Sequence, residues 1–167
     1  MIIVGIDPGF GGGVGFLEYD PASVNDPYPV GVADAPIFEK KGKRYLDYAK
    51  MLQLLEPICD GEQGVVVIEK VGPRPQQGVS SAFRFGYGAG MWHGVAAHYY
   101  PHFAVEFVTP NTWKRDLGLS SDKEKSLVLT RQMWPEMKPY VGRKKDDGRA
   151  EALLIGYWWT KFGVKRK

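Results

Sequence analysis

Short runs of apolar residues alternate with helical patterns along the chain, and this alternation is typical of an α/β domain. The apolar runs predict strands at 2–6, 14–17, 30–33, 65–69 and 104–108. Apolar positions at helical spacing predict helices at 45–58, 80–99, 109–113, 121–133 and from 148 onward. The segment 20–29, which is rich in Pro, Asp and Asn, predicts a loop. No internal repeat or domain boundary is visible, so we expect a single domain over 1–167.

Two of the predicted strands end in an acidic residue. Asp7 closes the first strand and is followed by Pro8 and Gly9, which favour a turn, and Glu69 closes the strand 65–69. Packing does not explain an acid after four apolar residues, and Lys70 would point to the opposite face of the strand. If the two strands are neighbours, Asp7 and Glu69 lie at the same height. Open α/β sheets place their sites at this edge.

A second group of acids opens the last predicted helix, in the stretch 144–155. Asp146 or Asp147 can cap this helix, because a short oxygen-bearing side chain accepts from the first free amides. If Asp147 lies in the first turn, it shares a face with Glu151, four residues later. Two carboxylates on one face repel each other unless a cation lies between them. The alternative is a capped, solvated helix start.

Carboxylate oxygens are the ligands that Mg²⁺ and Mn²⁺ prefer. If the last helix packs across the strand ends, it brings its acids to Asp7 and Glu69; the candidate metal ligands are therefore Asp7, Glu69, Asp146, Asp147 and Glu151. Two ions about 3.5–4 Å apart would suit phosphodiester hydrolysis. No Cys/His set suits zinc, because His93 and His98 are five apart and share no helix face.

The charge distribution and the cysteine content indicate which binding partners and which cellular compartment to expect. The net charge is +3, but basic residues cluster at 40–44, 143–149 and 161–167. Such clusters suit a polyanion such as DNA, although they could also be solvated faces. The single cysteine excludes an internal disulfide and fits a reducing compartment. We see no secretory signal and no apolar run of transmembrane length, so we expect no membrane association.

The order of these motifs resembles the RNase H-like nuclease superfamily, and within it the Holliday junction resolvases of the RuvC type. The similarity is greatest to the divergent resolvases of phages and plant chloroplasts, which carry stretches like Glu-Lys-Val-Gly-Pro-Arg-Pro at 69–75 and Arg-Ala-Glu-Ala-Leu-Leu at 149–154. The resemblance covers 3–156. It implies an RNase H-like fold with a central mixed five-stranded sheet flanked by helices. It also implies a metal-dependent endonuclease that nicks four-way DNA junctions symmetrically, with two Mg²⁺ or Mn²⁺ ions.

The resemblance also implies roles for the acids. Asp7 and Glu69 correspond to the first two catalytic acids of the family. The bacterial enzymes carry an acid or a histidine three residues before the final carboxylate, where this chain has Gly148. From the four-residue helical spacing we assign Asp147 and Glu151 as the last catalytic pair.

Asp146 remains the helix cap or a substitute ligand in this assignment.

Two lysines eleven apart, Lys114 and Lys125, match a family pattern that faces the junction strands. The resemblance implies that both contact phosphate and that Lys125 assists catalysis; taken alone, each is an ordinary solvated lysine. Gly72 stands where the bacterial family has an aromatic wedge, so Arg74, Gln77 or Phe83 is expected to open the junction. The full set of predicted DNA-binding residues is Arg74, Gln77, Lys114, Lys125, Lys144, Lys145 and Arg149.

Family resemblance further implies a homodimer, because the two-fold symmetry of a four-way junction suits an isologous pair. The glycine- and alanine-rich helix 80–99 is the candidate interface. The expected location is the cytoplasm of a bacterial or phage-infected cell, with an organelle form left open.

Three other functions remain open at this stage. The chain could be another RNase H-like nuclease, acting on RNA–DNA hybrids or on flaps. It could be a nucleic-acid-binding module whose acids are structural. It could also be a sugar-kinase-like ATPase, since that fold begins with a strand, an Asp and a Gly-rich hairpin, although the short length and the lack of a second domain argue against it.

Overall fold

The computed structural model describes residues 1–59, 62–70, 72, 78–99 and 101–164. The strands in these residues are β1 (Ile2–Asp7), β2 (Gly13–Glu18), β3 (Tyr28–Asp34), β4 (Ile37–Lys40), β5 (Lys43–Leu46), β6 (Gly64–Glu69) and β7 (Phe103–Val108). The α-helices are α1 (Tyr48–Cys59), α2 (Val79–Ala97), α3 (Pro110–Asp116), α4 (Lys123–Met133) and α5 (Asp147–Trp158).

A five-stranded mixed sheet forms the centre of the fold, in the order β3-β2-β1-β6-β7. The first three strands form an antiparallel meander, and β6 and β7 then add parallel to β1. Helices cover both faces of the sheet. The expected α/β fold with a central mixed five-stranded sheet flanked by helices is therefore confirmed.

Each face of the sheet has its own hydrophobic core, because successive strand residues point to opposite sides. Val4 and Ile6 of β1 pack with Trp92 of α2 in a cluster that also includes α1. Ile3 faces the other way and packs with Leu153 of α5 in the second cluster. The alternation also decides on which side the strand-end acids emerge.

The backbone of α5 lies directly on the backbones of β1 and β2. A Cβ atom at Gly5 would lie 1.9 Å from the carbonyl oxygen of Ala152 and 2.7 Å from the amide nitrogen of Gly156. A Cβ atom at Gly15 would lie 2.7 Å from the amide nitrogen of Leu153. Only glycine allows this approach, and it brings the start of α5 to the carboxyl end of β1.

A small hairpin, β4–β5, replaces the beginning of the helix predicted at 45–58. Tyr45 lies in β5, where its ring stacks on Phe38 of β4 with the ring centroids 5.4 Å apart, and α1 begins only at Tyr48. The turn uses Lys41 and Gly42, both with positive φ. Cross-strand pairing therefore determines the structure at Tyr45, although the spacing of the apolar residues there matches a helix.

Among the other boundaries that differ from prediction are the starts of β3 and α4. β3 begins at Tyr28, inside the predicted loop 20–29, because Tyr28 pairs with Glu18 of β2. The N-cap of α4 is Asp122, whose side chain accepts from the backbone N–H of Glu124. Among the described residues, no helix combines the length and the apolar character needed to cross a bilayer.

We predict that Gly5→Ala lowers the free energy of unfolding by at least about 2 kcal/mol, because the added methyl group collides with the α5 backbone. The matched control is Gly11→Ala, at an exposed turn position where a Cβ atom meets nothing within 4 Å. The control should leave stability unchanged or raise it by up to about 1 kcal/mol. Urea unfolding followed by circular dichroism measures both. Equal midpoints for Gly5→Ala and the wild type would contradict the close contact.

Candidate active site

Four carboxylates gather at one edge of the sheet. Parallel pairing sets Ile6 opposite Ile68, so Asp7 and Glu69 end neighbouring strands side by side. Both point to the face covered by α5, because they are in phase with the residues that pack against that helix. Asp147 is the first residue of α5, and Glu151 follows one turn later on the same face.

All four carboxylates are buried: Asp7 is 8% exposed, Glu69 6%, Asp147 9% and Glu151 4%. Asp7, Glu69 and Glu151 line an open cavity of about 1160 Å³. The structure therefore brings three of the four acids assigned as catalytic from the sequence to one cavity, and the fourth, Asp147, lies one helical turn from Glu151. Their part in any reaction stays a prediction.

Asp7 lies at the centre of this negative charge. Burial raises the pKa of Asp7 from 3.8 to about 7, and the charges of Glu69 and Glu151 act in the same direction. The backbone N–H of Gly9, whose nitrogen lies 3.2 Å from Asp7 Oδ1, and the charge of Lys123 act against it. The surroundings of Asp7 therefore disfavour its negative charge.

Helix α3 supplies partners for two of the acids. Thr109 caps the helix and Pro110 begins it, directly after β7, which sets the next turn beside the cavity. Trp113 is fully buried, and its indole N–H donates to Glu69 Oε1 over 2.9 Å. The ammonium group of Lys114 donates to Glu151 Oε1 over 2.7 Å.

Glu151 is also held from α4. The hydroxyl of Ser126, a buried residue, donates to Glu151 Oε1 over 3.2 Å. The nitrogen of Lys114 lies 4.9 Å from the centroid of the Trp113 ring, which adds a cation–π contact. Residues of two helices thus fix the orientation of Glu151.

Lys123, which the sequence did not single out, reaches Asp147. It is the first residue of α4, and its ammonium group donates to Asp147 Oδ2. Burial alone would lower the pKa of Lys123, but the hydrogen bond to Asp147 and the surrounding carboxylates outweigh this and raise it. No local sequence signal connects Lys123 with Asp147, because the packing of α4 against α5 brings the two side chains together.

Lys125 is not brought to the carboxylates. Two residues along a helix correspond to a rotation of about 200°, so Lys125 points away from the side on which Lys123 meets Asp147. Lys125 is exposed, and only Lys114 and Lys123 of these three lysines line the cavity. Its predicted catalytic role has no geometric support in this arrangement.

Asp146 is also turned away from the other acids. Its carboxylate accepts from the backbone N–H of Arg143 over 2.8 Å and from the Arg143 guanidinium over 2.8–3.2 Å. The hydrogen bond from Arg143 lowers the pKa of Asp146. Asp146 therefore closes the short turn before α5, and its side chain does not cap α5 as we expected. Asp146 and Asp147 are consecutive residues, so their side chains point to different sides of the chain.

The predicted DNA-binding residues fall into different environments. Lys144 and Lys145 are exposed on the turn that precedes α5. Arg149, in contrast, donates twice to Asp34 of β3 over 2.6 Å and to the carbonyl oxygen of Tyr140 over 3.1 Å. It holds α5 against the sheet edge, which corrects the prediction that its guanidinium is available to DNA.

The loop residues expected to open the junction are only partly within the described chain. Arg74 and Gln77 lie outside the described residues. Gly72 lines the cavity, and Phe83 of α2 is 74% exposed.

The donor set fits a hard divalent cation, because carboxylate oxygens are the ligands that Mg²⁺ and Mn²⁺ prefer, and both burial and the charges of Glu69 and Glu151 disfavour an uncompensated negative charge on Asp7. Within the part of the chain that the structure describes, no three acidic, histidine or cysteine side chains are arranged to hold an ion as they stand. Lys114 and Lys123 already take oxygens of Glu151 and Asp147. A cation that binds Glu151 through Oε1 or Asp147 through Oδ2 would therefore displace a lysine.

Comparison with solved structures finds the same architecture. The structure of Thermus thermophilus RuvC matches with a TM-score of 0.62 at 16% identity, over 98% of this chain and 97% of that one. T. thermophilus RuvC in complex with a Holliday junction substrate matches with a TM-score of 0.60 at 17% identity, over 98% of each chain. The fold is that of RuvC. The RuvC fold also occurs in the yeast mitochondrial Holliday junction resolvase Ydc2, with a TM-score of 0.56 at 14% identity, over 98% of this chain and 79% of that one.

A sequence comparison adds one curated relative to this RuvC-fold chain. It is the chloroplastic Holliday junction resolvase MOC1 of Chlamydomonas reinhardtii, 36% identical over 86 residues. The match covers 50% of this chain and 10% of that protein, so the chain aligns with about a tenth of the length of its relative. No protein-family model matches the chain. Because the relative is chloroplastic, it does not support the predicted cytoplasm of a bacterial or phage-infected cell.

We predict that Asp7→Asn raises the melting temperature of the metal-free protein by several degrees at pH 8 and leaves it nearly unchanged at pH 4. The folded-state pKa of Asp7 is raised to about 7 from 3.8. Its ionisation therefore destabilises the fold progressively as the pH rises from about 4 to about 7, and the full cost is present above that range. Asn removes this cost.

Differential scanning calorimetry in the presence of chelator measures this effect, with the exposed Glu39→Gln as the control for loss of one negative charge. A melting temperature of Asp7→Asn below that of the wild type at pH 8 would contradict the prediction that ionised Asp7 destabilises the fold.

Proposed function

We propose that the chain is a Holliday junction resolvase, a metal-dependent endodeoxyribonuclease that nicks four-way DNA junctions symmetrically. The observation that carries this proposal is the set of four buried carboxylates at the carboxyl ends of β1 and β6 and on the facing side of α5. The RuvC fold and the sequence similarity to MOC1 over half of the chain support the same conclusion.

Asp7, Glu69, Asp147 and Glu151 would hold the cations, with Mg²⁺ or Mn²⁺ as the expected ions and two per site. Such ions supply a more acidic water and neutralise charge on the leaving oxygen. The chain supplies the orientation of the ligands. Trp113 directs Glu69, and Ser126 directs Glu151, so two of the acids are held in place before substrate arrives.

The surroundings of the cavity suit a phosphate backbone. Arg44 of β5 donates to the carbonyl oxygen of Phe10, which lines the cavity, over 2.9 Å. The guanidinium of Arg84 lies 4.9 Å from the centroid of the Phe10 ring. These contacts anchor the β4–β5 hairpin, with its exposed Lys40 and Lys43, beside the acids. Basic side chains in this position would bind DNA without reading its sequence.

We further propose that α2 is the interface of a homodimer. Gly86, Gly90 and Gly94 recur every four residues on α2, and a Cβ atom at any of them would meet nothing within 4 Å. Phe83 and Tyr87 are exposed on the same helix, at 74% and 52%. A glycine stripe lets two helices approach closely, and an isologous pair matches the two-fold symmetry of a four-way junction.

We predict that the wild type makes paired symmetric nicks in an immobile four-way junction with Mg²⁺, and that chelator abolishes them. Linear duplex, single strand and an RNA–DNA hybrid should stay intact. Asp7→Asn should cut at least about 100-fold more slowly, because metal-ion stabilisation of the transition state is worth several kcal/mol. It should still bind the junction, since the phosphate contacts remain.

Two other results of this cleavage experiment would favour the alternative functions. Cleavage of the hybrid with an intact junction would indicate an RNase H-like nuclease of different specificity. Junction binding by the wild type without cutting in either metal would indicate a binding module with structural acids.

We predict that the double variant Lys144→Ala/Lys145→Ala weakens junction binding and makes its salt dependence shallower. The slope of log affinity against log salt concentration should fall by about one for each phosphate that the variant no longer binds. Fluorescence anisotropy over a series of salt concentrations measures this. Lys50→Ala on α1, whose lysine already pairs with Asp47, is the control. An unchanged slope in the double variant would show that these two lysines do not contact DNA phosphates.

A further inference from the structure

The two lysines in the site are held very differently. The side chain of Lys114 is 15% exposed and lies against the Trp113 ring while it contacts Glu151. The side chain of Lys123 is 63% exposed although its ammonium group contacts Asp147. Lys114 is therefore packed in place, whereas Lys123 reaches in from solvent.

The position of Lys123 at the start of α4 also weakens its contact with Asp147. It is the first residue of α4, where the unpaired backbone N–H groups and the helix dipole disfavour a positive side chain. Holding a long, solvated side chain in one geometry costs rotamer freedom, and ion pairs with an exposed partner are weak for that reason. The contact with Asp147 is thus easily exchanged for another cation.

Asp147, in contrast, is largely enclosed. Its side chain is 12% exposed, and it lies one helical turn from the buried Glu151. Among the described residues no three ligand side chains are poised around one point. A cation that binds Asp147 through Oδ2 must displace the ammonium group of Lys123.

We propose that Lys123 is an exchangeable counter-ion that neutralises Asp147 in the metal-free site and lowers the affinity of that site for a divalent cation. This inference rests on the metal site of the proposed function. Lys123 acts through Asp147, so it is a positioning residue for this carboxylate before a metal ion binds. On metal binding its ammonium group leaves Asp147 and turns towards solvent or the incoming phosphate.

Isothermal titration calorimetry with Mn²⁺ alone, on the full chain without DNA, tests this. Lys123→Met keeps the stem of the side chain and removes the charge. It should bind Mn²⁺ about two- to tenfold more tightly than the wild type, the range expected from breaking an exposed ion pair. Lys125→Met makes the same charge change on the same helix without a contact to the acids, and its affinity should stay within about twofold of the wild type.

A double-mutant cycle isolates the contact from the general charge effect. In an Asp147→Asn background, Lys123→Met should no longer change the Mn²⁺ affinity. Unchanged or weaker binding by Lys123→Met, an equal gain in Lys125→Met, or no measurable binding by any variant would each overturn the inference.

The inference and the proposed function fail in different ways. If Lys123→Met tightens Mn²⁺ binding but no variant cuts junctions, the exchange stands and the assigned substrate is wrong. If the wild type cuts junctions and Lys123→Met leaves the Mn²⁺ affinity unchanged, the function stands and the exchange is wrong.

Discussion

The contact between the α5 backbone and the backbones of β1 and β2 determines where the acids lie. Side chains at Gly5 or Gly15 would separate the helix from the sheet by the width of a methyl group or more. Asp147 and Glu151 would then move away from Asp7 together. Because the same helix also contributes Leu153 to one of the two cores, the geometry of the site and the stability of the fold depend on one packing surface.

The site itself opposes folding. Burial raises the pKa of Asp7, and repulsion from the buried Glu69 and Glu151 adds to this, so the ionised Asp7 costs folding free energy. The chain offsets the repulsion with donors from three directions: the Gly9 turn, Trp113 and Lys114 on α3, and Lys123 and Ser126 on α4. Such a site is stable only because large cores on both faces of the sheet support it.

The strand-end acids were predictable from the sequence, because an acid that closes an apolar run is conspicuous and parallel strands end at one edge. The shared helix face of Asp147 and Glu151 was also predictable, because it depends only on their four-residue spacing. Lys123 was not predictable in this way, since its partner lies 24 residues away and is chosen by the packing of α4 on α5. The same reason applies to Arg149, whose partner Asp34 lies 115 residues away, and to the β4–β5 hairpin, whose pairing overrode a helical pattern.

Helix α3 links two acids that come from distant parts of the chain. Its consecutive residues Trp113 and Lys114 hold Glu69, at the end of a strand, and Glu151, on the last helix. This helix is only seven residues long, so the two contacts are rigidly linked through its backbone. A displacement of α3 would therefore shift Glu69 and Glu151 together, although 81 residues separate them along the chain.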